Sequence, residues 1–475
     1  MPPSPKKTFP AVLAALLLLS ACGGVPAAPS VTPSLPPGTG TPLPTAPPTA
    51  TAAPSATPTT TVPLQVDPAA LKGLHVQVWD AFSGLSDQAF VSLTAAFNAS
   101  NPWGLVVDPT DYGDYTSLFE AVNAGLTAGQ TPDLVAALPE QVLAWDASKA
   151  VVDLNPYAGD PTWGLQAGDI ADIPAAFWAQ DSLDGRRLGV PAARSARYLF
   201  YNTTWAHQLG FTAAPTNADE FRQQACAANA SFRSDSNPQN DGYGGWIVDP
   251  AWQTSYSWMA AFGGGVLQDG VYSFRSDQNL AALQFLKKLY DDHCAWISTD
   301  PVPYDAFAKR AALFVSADLA EVPMVANAMT RAGNDDEWTL IPFPGPQSDA
   351  LVAYGPSFSV LVSSPEKQLA GWLFARWTLS VTNQTWWVVS TGLLPVRASA
   401  LTALAGYRTG QPQWDAAVAV LPLAQGTPQA ASWRQVRYLL EDGTASIFRT
   451  NLAVAMIPAV LAQMDAMAEE LTKTP

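Results

Sequence analysis

From Leu74 onward the chain alternates strand-like and helix-like apolar spacing. Leu74, Val76 and Val78 alternate with His75 and Gln77, which predicts a strand buried on one face. Ser86 then opens a helix with Phe90, Leu93 and Phe97 on one side, stopped before Asn101-Pro102. Residues 105–107 predict a second strand. Asp114 caps a helix carrying Leu118, Val122 and Leu126, ended at Gly129, and 132–136 return as a third strand. Strand-helix-strand-helix-strand requires a mostly parallel sheet with covered faces. A second unit begins with a strand over 197–202, a helix ending at Gly210, and a Thr216-x-x-Asp219 helix start. Further helices follow over 276–292, with Leu280, Leu283, Leu286 and Leu289, and after Ser364-Pro365-Glu366, with proline at the first helical position. The pattern is two α/β lobes without an internal repeat.

The first sixty-odd residues follow none of this. Lys6 and Lys7 precede an apolar run over 11–19, which as a helix spans only about 14 Å against the ~30 Å of a bilayer core. Residues 1–21 therefore read as an export signal. The run ends in Leu19-Ser20-Ala21-Cys22, which resembles the lipobox of bacterial lipoproteins and implies lipidation of Cys22. Several acyl chains hold a protein to a membrane far better than one. Residues 22–66 carry no charge and are dominated by Pro, Thr, Ala, Ser and Gly, a composition that cannot bury enough apolar surface to offset its ordering entropy. They are expected to form an extended tether, with the folded domain at 67–475.

Composition narrows the partners. With 24 basic and 40 acidic side chains the net charge is −16, which argues against nucleic acid or an anionic membrane surface as the main partner. Three scattered His and three separated Cys offer no zinc-binding spacing. The oxygen-rich stretch 235–242 lacks the glutamate that a calcium loop needs at its twelfth position. Neither a metal nor a cofactor is expected. In an exported chain Cys226 and Cys294 could pair as a disulfide or remain two buried thiols, with Cys22 left over for lipid.

Seven segments in order carry a family resemblance. They are Val76-Gln77-Val78-Trp79-Asp80-Ala81-Phe82-Ser83-Gly84, Gly129-Gln130-Thr131-Pro132-Asp133-Leu134-Val135, Asp184-Gly185-Arg186-Arg187-Leu188-Gly189-Val190-Pro191, Leu199-Phe200-Tyr201-Asn202 with Gly210, Pro215 and Thr216, then Ala311-Ala312-Leu313-Phe314, Gly355-Pro356-Ser357 and Gly392-Leu393-Leu394-Pro395-Val396-Arg397. Together they resemble the family 1 extracellular solute-binding proteins of bacterial ABC importers, the maltose-binding-protein-like group. Leu188 and Asn217 stand where the family usually has an aromatic residue and Trp.

The resemblance implies a two-lobed α/β periplasmic-binding-protein type II fold, with ligand in an interlobe cleft and a hinge that closes on it. It places lobe 1 at about 72–192 and 311–382, and lobe 2 at about 193–310 and 383–475. It implies a lipid-anchored, extracytoplasmic, monomeric binding component that delivers its ligand to membrane permease subunits and makes or breaks no bond. A sensory lipoprotein and a lipid-anchored glycan-active enzyme are the alternatives.

Seventeen Trp favour a sugar, because a pyranose offers C–H faces to aromatic rings and a hydroxyl rim to planar polar groups. A phosphorylated ligand would want several cleft cations, and only Arg197, Arg397 and Arg437 are candidates. By order along the family, the contact positions are Phe82 and Ser83 after the first strand, Tyr112, Glu140 after the third strand, and Ser195. Trp252 and Gln253 at a helix start, Asp318, the Gly355 loop, and Trp433 with Arg437 one helical turn apart complete the set.

Overall fold

A computed structural model describes residues 64–473. The export signal, Cys22 and nearly all of the tether lie outside the described residues. The fold begins slightly before the expected boundary: Leu64 and Val66 pack against the core, and the Leu64 N–H donates to Asp160 at 2.8 Å.

The first sheet has five strands in the order Val106–Asp111, His75–Asp80, Leu134–Ala137, Ser357–Val360 and Val190–Pro191. Its first three strands are parallel, as the alternation of strands and helices requires. The last two run antiparallel at their junctions. The helices between the parallel strands are Leu85–Ser100 and Tyr115–Ala128. The former has Gly84 in the cap position instead of Ser86, and so no side-chain cap. Asp114 caps the latter by accepting the Thr116 and Ser117 N–H groups, and Gly129 ends it in the left-handed conformation.

The second sheet has eight strands built around Ser195–Asn202. Alternate residues of that strand feed two cores: Tyr198 and Phe200 join one, Leu199 and Tyr201 the other. The helix at Ala218–Arg233 is capped by Asn217, one residue after the expected Thr216; Thr216 instead donates its N–H and hydroxyl to Glu220. Ser364 caps its helix ahead of Pro365 as expected, and Ser276, expected as the first helical residue, caps Asp277–Asp291 instead. Cys226, in the capped 218–233 helix, is bridged to Cys294, which precedes the edge strand Ala295–Trp296. The disulfide is therefore the form this structure contains.

Two assignments change. The expected division put 311–382 in lobe 1, but Phe314–Asp318 pairs antiparallel with 197–201 and Trp338–Ile341 with 199–202. Asp349–Tyr354 joins the same sheet, so the chain recrosses only at Gly355-Pro356. Antiparallel hydrogen bonding to one long, doubly buried strand fixes 314–354 there. At the tail, the second lobe was expected to resume at 383, but Val381–Thr391 still packs on the first lobe, because Trp387 sits edge-on to Phe82 at 5.4 Å in its core. Trp433–Ile447 and Ile457–Lys473 bury Val436, Leu440 and Leu461 in the core of the second.

Candidate functional site

Four helix N-termini converge where the two sheets face each other. Tyr115–Ala128 and Pro139–Ala147 start just beyond first-lobe strands, while Trp252–Ala261 and Trp433–Ile447 belong to the second lobe. Open α/β sheets bind ligands at such carboxyl ends of strands. Between these helix starts lies a cavity of about 350 Å³, within the ~300–1,000 Å³ range of small-molecule sites. The first lobe contributes Asp114, Tyr115, Thr116, Leu138, Pro139, Glu140 and Gln180. The second side is Trp252, Gln253, Tyr354, Gly355, Trp433, Arg437 and Tyr438, with Thr427 from the tail.

The aromatic wall is organised at right angles. Trp252 is half-buried and presents surface to the cavity, whereas Trp433 is fully buried and meets it edge-on at 5.7 Å with an 89° interplanar angle. Tyr354 also packs edge-on to Trp252, at 5.4 Å. Glu441, one turn beyond Arg437, accepts the Trp252 backbone N–H at 3.3 Å and so ties the start of one helix to the body of the other. Burial raises the Glu441 carboxyl above its ordinary range. The indole N–H of Trp433 has no protein partner.

Charge is arranged across the cleft. Arg437 Nη1 donates to Glu140 Oε1 at 2.6 Å, joining the second lobe to the first. Burial pushes the Glu140 carboxyl up, and Arg437 pulls it back only in part. Asp114 is occupied as a helix cap, and its hydrogen bonds from Ser117 and Thr116 hold it below the usual carboxylate range. Arg197 lies outside the cavity, donating to Asp249 at 2.6 Å, Asp318 at 2.9 Å and Thr254 at 3.0 Å. Arg397 is likewise held by Asp169 and Asp172, each at 2.6 Å.

Six of the expected contact positions thus come together: Glu140, Trp252, Gln253, Gly355, Trp433 and Arg437. Five do not line this cavity. Phe82 turns inward and is buried against Phe90 and Trp387. Ser83 stays exposed beside it, and Tyr112 leans on Trp79 at 5.0 Å. Ser195 sits behind the wall, paired in register with Tyr354. Asp318 reaches the cavity only through Tyr354, whose hydroxyl it accepts.

The sequence reading missed Tyr115 and Thr116, which follow the legible Asp114 cap, and Pro139 and Tyr354, which border the named Glu140 and Gly355 positions. Gln180 and Thr427, bonded to each other at 3.1 Å, follow a short helix and an irregular stretch that give no periodic signal.

A family model described as bacterial extracellular solute-binding protein matches residues 92–422. The chain belongs to this family. Among solved structures, the solute-binding fold recurs in the sugar-binding protein MalE of Xanthomonas citri at a TM-score of 0.71 and 21% identity, covering 84% of this chain and 97% of that one. It recurs in UgpB of Mycobacterium tuberculosis, solved with glycerophosphocholine, at 0.67 and 20%, covering 84% and 98%. A binding protein of Brucella abortus is 22% identical over 405 residues, 82% of this chain and 92% of that one. The interlobe cavity of this solute-binding protein is accordingly its candidate ligand site.

Proposed function

We propose that this protein captures a neutral mono- or oligosaccharide between its lobes and delivers it to the permease of an ABC importer. The observation that carries the sugar reading is the wall itself: a half-exposed Trp252 braced by Trp433 and Tyr354, beside polar groups from both lobes. The MalE likeness, a sugar-binding protein by its description, supports the same reading.

Cleft charge argues against a phosphate-bearing ligand such as the glycerophosphocholine of UgpB. Arg437 is the one cation among the described residues lining the cavity, and Glu140 already neutralises it. Arg197 and Arg397 are engaged elsewhere. Hydrolysis is disfavoured on similar grounds, because Asp114 is committed to a helix cap and Glu140 to an ion pair, leaving no free pair of carboxylates among the described residues that line the cavity.

A thermal-shift screen of neutral sugars, glycerophosphodiesters and polyamines tests the ligand class. Sugars alone are expected to raise the melting temperature, since a ligand that binds only the native state stabilises it by mass action. A rise with glycerophosphocholine or polyamines alone overturns the sugar reading.

We further propose that the chain works outside the cytoplasmic membrane as a monomer, held there through lipid on Cys22 by the uncharged stretch that follows. Cys22→Ser is expected to move the protein from the membrane fraction to the medium. Undiminished membrane retention contradicts the anchor.

A further inference from the structure

Two crossovers join the sheets at the floor of the cleft. The chain leaves the first sheet at Val190–Pro191 and enters the second at Ser195–Asn202; it returns from Asp349–Tyr354 to Ser357–Val360. The N–H groups of Ala192 and Ala193 donate to the Pro356 carbonyl at 3.0 and 3.3 Å, so the crossovers run bonded side by side. Gly355 lies between them at φ 149°, where a Cβ would stand 2.3 Å from the Ala193 carbonyl oxygen. Only glycine permits that approach. A third segment joins them, because the Leu394 N–H donates to the Arg194 carbonyl at 3.0 Å.

Arg194 sits at the centre of this junction with no exposed surface. Its Nη1 donates to the carbonyl oxygens of Ala193 at 2.9 Å, Gly355 at 3.3 Å and Pro356 at 2.6 Å. Its Nη2 donates to Asp181 and to the Ser357 hydroxyl oxygen, both at 3.0 Å. Asp181 in turn accepts the Ser357 hydroxyl. Burial pushes the Asp181 carboxyl up and the Arg194 guanidinium down, each partly offset by the other.

Stability alone does not call for such a pair, since apolar residues of similar volume often replace a buried ion pair without loss. What a planar guanidinium adds is a rigid fork of donors that can fix several carbonyls at once. Here those carbonyls belong to both crossover strands. The junction borders the cavity through Gly355, yet Arg194 does not line it.

We propose that Arg194 is the pivot of the interlobe hinge: a positioning residue that holds the two crossovers in register and sets the balance of open and closed forms without touching ligand. The inference deepens the capture mechanism proposed above and rests on closure of the two lobes.

Double electron–electron resonance between spin labels at exposed Ala95 and Lys288, one on each lobe, reads the interlobe distance directly. A Cys22→Ser background keeps labelling to those two positions. Arg194→Lys is expected to broaden the ligand-free distance distribution and to raise the sugar dissociation constant about tenfold, as expected when the competent closed state becomes less populated. Arg194→Met combined with Asp181→Leu removes both charges and guards against loss of folding. It is expected to keep a cooperative melt while still broadening the distribution, because no apolar side chain holds the crossover carbonyls. Variants that melt lower but keep the wild-type distance distribution and dissociation constant overturn the pivot and leave Arg194 a structural residue. The ligand-free distributions decide the role of Arg194 whether or not any sugar closes the cleft, so failure of the pivot and failure of the sugar reading are distinguishable.

Discussion

Trp252→Ala is expected to raise the dissociation constant for the bound sugar by on the order of 100-fold, about 2.7 kcal/mol, the scale of a buried aromatic anchor. Trp252 is the ring with surface turned to the cavity; its orientation is held by Trp433 at 5.7 Å and Tyr354 at 5.4 Å, while the Glu441 carboxylate anchors its backbone N–H. Truncation removes the apolar face on which the C–H side of a sugar ring packs, and leaves its neighbours without support. Trp252→Phe keeps a flat face and is expected to cost much less. Isothermal titration calorimetry on the three proteins measures the difference. Affinity unchanged in Trp252→Ala would place the ligand elsewhere.

Removing the disulfide is expected to have the largest effect on stability. Cys226 and Cys294 are separated by 68 residues, and closing a loop of that length contributes about 4 kcal/mol in the chain-entropy model. The bridge ties the Ala218–Arg233 helix to the edge of the second sheet, where Ala295–Trp296 is held by only one neighbouring strand. Cys226→Ala with Cys294→Ala is expected to lower the urea midpoint of the second lobe well beyond the effect of an ordinary core substitution. A midpoint within error of wild type would show that the native geometry, not the covalent link, holds this edge.

Local order was legible where chemistry is local. The Asp114 cap, the Gly129 stop and the Ser364 cap depend on a few adjacent residues, and the structure places them as the sequence implies. The parallel first three strands follow from alternation alone. Lobe membership was not legible in the same way. The 314–318 strand looks like the start of a new unit, and only hydrogen bonding to a strand more than a hundred residues earlier assigns it.

The site divides along the same line. Trp252, Trp433, Arg437 and Glu140 were placed by their order along the family resemblance, and the structure puts them at the first or second turn of three helices preceded by Ala251, Ser432 and Leu138. Phe82 shows the converse error, because a residue after a cleft-edge strand can face the core as easily as the ligand, and packing against Trp387 decides it. Gln180 and Thr427 meet across 247 residues of sequence, a distance over which no spacing rule operates.

The central claim is capture without chemistry in the interlobe cavity. Calorimetric titration with the sugar that most raises the melting temperature, followed by chromatography of the recovered ligand, tests it most directly. One sugar bound per chain and recovered unchanged is the predicted result. Turnover by the wild-type protein that is lost in Glu140→Gln would contradict it.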